Sequence, residues 1–246
     1  MRVTGSEVEV AAAWLLDRFP DGLEERPLDG ATELAVFTDD AGEIAVRDAF
    51  ADVRSDPIAL GWEDGWKEFH RAVSAGGLWI GPPWSPPPLG EDVVIVDPGR
   101  AFGTGAHATT RACIELLAGL ERGSLLDAGC GSGVVSVAAV RLGFAPVLAV
   151  DLDEVAVEVA ALTARANGVE IDVHRADVLH DDLPRTDVLV ANIEHRVVEQ
   201  LLARAASPVA VTSGYLAAEA PHAPGWVGVE HLELEGWAAD VFVERH

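Results

Sequence analysis

The residues whose types and spacing could do chemistry concentrate in one stretch, Leu125 to Asp151, LLDAGCGSGVVSVAAVRLGFAPVLAVD. An apolar run ends at Asp127, glycines follow at alternate positions (Gly129, Gly131, Gly133), and a second apolar run closes on Asp151, 22 residues beyond Gly129. Glycines at such a turn permit positive φ and let a ligand approach the backbone, while the helix that follows presents free N–H groups. A carboxylate at the carboxyl end of the next strand can accept hydrogen bonds from both hydroxyls of a ribose. The stretch therefore reads as one βαβ unit that takes an adenosine-containing ligand.

The spacing narrows that ligand. A dinucleotide-binding turn wants G-x-G-x-x-G, and Val134 occupies the position of its third glycine, which disfavours a nicotinamide oxidoreductase. The observed G-x-G-x-G led by Asp127 resembles the S-adenosylmethionine site of the doubly wound methyltransferases. That likeness implies that the leading acid faces the cationic methionine end; the plain alternative is a Gly-rich turn in another α/β protein. Upstream, DPGRAFGTGAHATT (Asp97 to Thr110) sets small residues and hydroxyls before a helix, which makes a close-contact loop for a polar ligand or an ordinary turn. Downstream, Asp177 and Val178 follow a strand where an adenine edge would lie, with a solvated loop acid as the alternative. Asn192 ends an apolar strand, where its carboxamide can accept a hydrogen bond from an amine and hold the lone pair toward a methyl group, or simply turn the chain. His107 and His195 are candidate bases, each with a structural role as the simpler reading.

Regular elements must position these groups. Helical spacing covers Val134 to Leu142, a helix runs from about Thr109 to Leu120, and Asn167 with Gly168 ends the helix after Asp151. Strands are expected at Val93 to Val96, Pro146 to Val150, Ile171 to Arg175, Asp187 to Ala191 and Val209 to Thr212, with a helix at Val197 to Ala206. Ser213 to Tyr215 reads as an exit loop, and Val227 to Leu234 with Trp237 to Val243 as a closing antiparallel pair joined at Glu235 and Gly236. Before them, Met1 to about Asp56 reads as a small α+β module: a helix from Glu7 to Phe19 opened by the capping box Ser6 to Glu9, strands at Leu23 to Leu28 and Glu33 to Phe37, a turn at Asp39 to Gly42, a helix at Glu43 to Phe50 and a strand at Asp52 to Ile58. It is a docking module or a structural cap. Trp62, Trp66, Phe69 and Val73 fall on one face of a short helix, His70 rides on it, and the clustered prolines of GPPWSPPPL (Gly81 to Leu89) then favour a stiff extended path and a domain boundary.

Composition bounds the remaining options. The chain has 246 residues, 49% of them apolar, enough for a real core. Its two cysteines, Cys113 and Cys130, are too few for a disulfide framework and lie in no metal-ligand spacing, so no metal is expected. No cationic start followed by an apolar stretch and no membrane-length apolar run is found, which predicts a soluble, cytoplasmic protein without a membrane partner. The formal net charge of −24 repels phosphate backbones, so direct nucleic-acid binding is not expected. The same charge attracts a basic protein, or else serves solubility or adaptation to salt.

The string FGTGAHATT, with DPG ahead of it, ALGWEDGWKEFH and LWIGPPW upstream, the glycine turn after it and VANI at Val190 to Ile193, resembles the ribosomal protein L-eleven methyltransferases (PrmA) from about Leu60 onward. The resemblance implies an α/β class I methyltransferase fold: a doubly wound seven-stranded sheet, mostly parallel with an antiparallel C-terminal strand, and a small N-terminal α+β domain. It implies three parts: a substrate-recognition domain over residues 1–58, a linker helix and Pro-rich connector over 59–91, and an S-adenosylmethionine-dependent methyltransferase domain over 92–246. The activity implied is methyl transfer from S-adenosyl-L-methionine to lysine side chains and the N-terminal amine of a basic large-subunit ribosomal protein, by a monomer. Another protein or a small molecule is the alternative acceptor. Family cofactor contacts fall on Thr110, Gly129, Asp151 and Asn192, with Phe102, Gly103 and Thr104 lying over the cofactor. Asp127, Gly131, Leu152, Asp177 and Val178 complete the expected cofactor-binding set, and Asn192 is the expected catalytic residue. Two features differ from the family pattern: only Met1 to Val3 remains for the usual first strand, and VANIE with His195 replaces VANIL with a small or apolar continuation.

Overall fold

The computed structural model describes residues 2–3, 7–19, 24–28, 31–36, 38, 40–50, 52–55, 71–87, 89–90, 92–97 and 105–245. The chain divides into two compact units, Met1–Glu63 and Asp64–His246.

In the first unit, β1 (Arg2–Val3), β2 (Glu24–Leu28) and β3 (Ala31–Ala35) form an antiparallel sheet in the order β1-β3-β2, joined by α1 (Glu7–Arg18) and α2 (Asp40–Ala49). Among the described residues its core comprises Ala11 and Leu15 of α1, Leu34 of β3 and Val46 of α2, with Trp14 edge-on to Phe50 at 5.1 Å. The helix α2 starts at Asp40, inside the expected turn, and of the strand expected at Asp52 to Ile58, residues 53–55 adopt no regular structure while 56–58 lie outside the described residues. Arg47 accounts for the irregular 53–55: its guanidinium donates to Val53 O and Ser55 Oγ, so the polar groups of this segment bond back to α2 rather than to a sheet.

The second unit opens with β4 (Val73–Ala75), β5 (Leu78–Gly81) and β6 (Asp92–Ile95), where β4 runs antiparallel and β6 parallel to β5. Trp62, Trp66, Phe69 and His70 of the expected linker helix lie outside the described residues, and Val73 opens a strand instead of continuing a helix. The cause is the Gly76–Gly77 pair, both at positive φ, which closes a two-residue hairpin. Gly76 also passes so close to the helix Ala108–Gly119 that a Cβ would lie 2.8 Å from Ile114 O. Of the proline-rich run, Gly81 completes β5 and residues 82–85 turn, with Ser85 N–H donating to Pro82 O.

The main sheet follows. Its elements are α3 (Ala108–Gly119), β7 (Leu125–Ala128), α4 (Val134–Leu142), β8 (Val147–Asp151), α5 (Glu154–Ala166), β9 (Asp172–Arg175), β10 (Val188–Asn192), α6 (His195–Leu202), β11 (Val209–Leu216), β12 (Trp226–Leu234) and β13 (Trp237–Glu244). The seven strands lie in the order β12-β13-β11-β10-β7-β8-β9, parallel from β11 to β9, with β13 antiparallel between β11 and β12. The central strands are near-continuous apolar runs because both faces are covered. Alternation then sorts their side chains between two layers: Leu125, Val188 and Val190 join the cluster with α3 and α4, while Leu126, Leu189 and Ala191 join the cluster with α6. Ser213 to Tyr215 does not leave the sheet as expected; β11 runs on to Leu216 through a bulge at Gly214, whose φ of 102° absorbs the extra residue while β13 keeps pairing. The helix expected at Val197 to Ala206 lies earlier, at His195–Leu202, and Arg204 beyond it donates to Val178 O and Asp181 O.

Candidate functional site

The strand order reverses between β7 and β10, and in an open α/β sheet a crevice forms outside the carboxyl ends of the strands at that point. A cleft of about 680 Å³ lies there. It is lined by nine of the sequence-expected residues: Thr110, Asp127, Gly129, Gly131, Asp151, Leu152, Asp177, Val178 and Asn192. Phe102, Gly103 and Thr104 lie outside the described residues.

The floor is the turn after β7. Gly129 has φ of 81° and donates its N–H to Val150 O, and a Cβ there would meet Ile193 Cγ2 at 2.3 Å. Gly133 begins α4 at φ of 76°, with Ala160 of α5 so close that a Cβ would lie 2.9 Å from its Cα. Absent side chains therefore make the turn tight enough for a ligand to reach its backbone.

Acidic groups stand on both sides of the turn. Asp127 is 2% exposed, and Ser136 Oγ of α4 donates to its Oδ2 at 2.5 Å. Burial pushes this carboxyl up to about 7; the Ser136 hydrogen bond opposes the shift and the nearby Asp151 charge adds to it. Asp151 is held rigid: Gly131 N–H donates to Oδ2 at 2.9 Å and Asp153 N–H to Oδ1 at 3.0 Å. Each oxygen keeps a lone pair for a further donor. Asp177 accepts from Leu179 N–H and pairs with His180 Nδ1, and these partners hold its carboxylate below the usual range.

At the other end, Asn192 Nδ2 donates to Thr110 Oγ1 at 3.3 Å, and Thr110 is buried in the first turn of α3. The amide nitrogen is thus engaged within the protein, leaving the carbonyl oxygen as the acceptor for an incoming group. His107 caps α3 through Nδ1, which accepts from Thr109 N–H and pairs with Thr109 Oγ1, and its ring packs edge-on to Trp237 at 5.0 Å. Arg111 of α3 donates to Glu235 Oε1 at 2.6 Å, tying that helix to the hairpin that carries Trp237. His195 is not part of this lining; its ring packs on Tyr215, and its buried Nε2 lies 3.8 Å from Glu199 Oε1 with no hydrogen-bond partner among the described residues.

Sequence reasoning missed Ser136 and Trp237 as parts of the site. Ser136 is the one hydroxyl in the apolar helix VVSVAAVRL, a signal of a buried polar partner. Trp237 directly follows the Glu235–Gly236 turn and carries no comparable signal. Among the described residues, no cluster of His, Cys, Asp and Glu could hold a metal ion, and no helix is long and apolar enough to cross a membrane.

This sheet order and switch-point cleft define the class I methyltransferase fold. A crystal structure of a ribosomal protein L11 methylase from Lactobacillus delbrueckii subsp. bulgaricus shares it, with a TM-score of 0.63 at 24% identity over 71% of this chain and 99% of that one. The family described as ribosomal protein L11 methyltransferase (PrmA) matches residues 43–221, and the chain belongs to that family. The ribosomal protein L11 methyltransferase of Syntrophomonas wolfei is 38% identical over 188 residues, 73% of this chain and 61% of that protein. That of Geobacter sulfurreducens is 40% identical over 201 residues, 72% and 66% respectively. The chain thus spans less than two thirds of the length of these relatives.

Proposed function

We propose that this chain is an S-adenosylmethionine-dependent protein methyltransferase that modifies amino groups, lysine side chains and the N-terminal amine, of the large-subunit ribosomal protein L11. The observation that carries this reading is the meeting of Asp127, Asp151 and Asn192 around one cleft at the switch point of a methyltransferase fold. The residues fit the cofactor. Asp127 is a buried acid that, among the described residues, is hydrogen-bonded by Ser136 and faces no cation, which suits a cationic ligand group. Asp151 offers a rigid pair of acceptors to a ribose, and the Gly129 turn leaves room at its backbone. Gly131 supports this arrangement from the turn, while Leu152, Asp177 and Val178 would flank the adenine.

When bound, S-adenosylmethionine supplies a methyl group on a positively charged sulfur that departs as a neutral thioether. The protein has to bring a neutral amine in line with that methyl, so positioning carries most of the catalysis. Asn192 would accept a hydrogen bond from the amine through Oδ1, with Thr110 fixing the amide by its own bond to Nδ2. A free lysine has pKa about 10.4, so delivering it neutral at pH 7 costs about 4 to 5 kcal/mol at roughly 1.36 kcal/mol per unit. Desolvation in the cleft lowers that cost by disfavouring the ammonium. His107, on the cleft wall, accepts from Thr109 N–H through Nδ1, so its neutral ring carries the proton on Nε2 and serves as a cap rather than as a base.

The three-part domain division, with the N-terminal unit as the recognition domain, belongs to the same proposal, as do the monomeric state, the cytoplasmic location and the absence of nucleic-acid and membrane contacts. The net charge of −24 supports a basic acceptor protein. The test is methyl transfer from isotopically labelled S-adenosylmethionine to purified L11, read by mass spectrometry. Labelled amino groups on L11 support the reading. Label only on another protein or on a small molecule moves it to the alternative acceptor.

A further inference from the structure

The cleft is lopsided in charge. Among the described residues its lining contains four carboxylates, Asp127, Asp151, Asp177 and Glu194, and no Lys or Arg. Three of the four are engaged: Asp127 by Ser136, Asp151 by the Gly131 and Asp153 amides, Asp177 by the Leu179 amide and His180. Glu194 alone has no side-chain partner among the described residues, although it occupies the N-cap of α6, where a side chain commonly bonds a free amide of the first turn. It is exposed, two residues beyond Asn192, and its backbone is fixed from below. Ile193 N–H donates to Ser213 O, and Gly214 packs so tightly under Ile193 that a Cβ there would lie 2.0 Å from the Ile193 carbonyl oxygen.

Acceptor binding, which precedes loss of the proton, favours a countercharge at this place. An amine reaches the cleft as an ammonium and must approach a positively charged sulfur, so two cations repel each other in a partly desolvated space. Asp151 and Asp177 lie toward the far strands β8 and β9, and Asp127 sits beneath the turn, whereas Glu194 shares a strand end with Asn192. We propose that Glu194 is a specificity-determining residue that holds the acceptor's ammonium at the cleft mouth, beside Asn192, and so selects cationic amines over neutral acceptors. This rests on the amine-methyltransferase reading above and extends it by naming the group that recognises the acceptor's charge.

The test compares wild type with Glu194→Gln and Glu194→Asp in steady-state methylation of purified L11, at low and high salt, together with calorimetric binding of S-adenosylmethionine. The Gln variant should raise the KM for L11 about tenfold, the scale of one charge-assisted hydrogen bond. Its kcat and cofactor affinity should stay within about twofold. Its KM should also respond less to salt than that of wild type. The Asp variant, which restores the charge, should recover most of the loss. An unchanged KM in the Gln variant, or a loss shared equally by Gln and Asp, would overturn the role of Glu194 while leaving the amine-methyltransferase reading intact. A wild-type protein that binds the cofactor but methylates no amine of L11 would overturn both.

Discussion

The two units place their carboxylates in opposite circumstances. In the N-terminal unit, Glu43 sits on the outside of α2 and bonds Ser55 and Arg47, and these partners hold it below the usual carboxylate range. In the C-terminal unit, Asp127 is enclosed, and burial pushes it up to about 7. A partnered surface acid is satisfied as it stands. A buried acid that meets Ser136 and no cation among the described residues is poised for a charge brought by a ligand, and such groups concentrate where ligands bind. The contrast extends to the cores. The first unit closes around Ala11, Leu15, Leu34 and Val46, whereas the second sandwiches its sheet between two large apolar clusters and holds its cleft on rigid strand ends. The cleft residues all belong to the second unit.

The largest expected effect lies at the strand end. Replacing Asn192 by Ala should lower kcat about 10²- to 10³-fold, the scale of losing one oriented polar contact to the reacting group, while cofactor affinity in calorimetry changes little. Equal, small changes in both quantities would remove Asn192 from the reacting centre. Next, Asp151→Ala deletes two acceptors and the anchor of the Gly131 amide, and cofactor affinity should fall about 100-fold. An affinity held within a few-fold would place the ribose elsewhere.

A pH titration comes third. Asp127 has its folded-state pKa raised to about 7. It therefore contributes stability to the unliganded fold below the ordinary carboxyl range near 4, and loses it as pH rises through about 7. A cationic ligand prefers the carboxylate. S-adenosylmethionine affinity should thus tighten about tenfold between pH 6 and 8, with proton release at the lower pH, and Asp127→Asn should flatten the curve. A wild-type curve as flat as the Asn variant's would deny Asp127 its place beside the cation. The smallest effect on the cleft should come from the other unit: Leu15→Ala removes a fully buried side chain and should destabilise that unit by about 2–5 kcal/mol, with cofactor affinity unchanged within about twofold. Loss of cofactor binding in that variant would break the division of labour between the units.

Much of the second unit was legible because its elements are long and strongly patterned. Val134 to Leu142 reads as a helix in the sequence and is one in the structure, and the run Val188 to Ala191 is apolar throughout because helices cover both faces of its sheet. The strands β4 and β5, of three and four residues, were too short for alternation to register, although the Gly76–Gly77 pair between them is a hairpin signal in its own right. The continuation of β11 to Leu216 was hidden by Gly214, which reads as a loop but serves as a bulge. At the site, the glycines and acids were visible because their spacing along one βαβ unit is dictated by the turn. Ser136 and Trp237 were not, since tertiary packing sets their places: Ser136 bonds Asp127 from beneath the cleft, and Trp237 comes from β13, beyond β10 and β11 in the sheet order.

The central claim is that one cleft seats the sulfonium nucleoside with its methyl presented to Asn192. A crystal structure of the chain with S-adenosylmethionine tests it most directly. The account predicts ribose hydroxyls on Asp151, the methionine end over Asp127 and the methyl group facing Asn192 Oδ1. An empty cleft, or a nucleoside seated with its methyl turned away from Asn192, would contradict it.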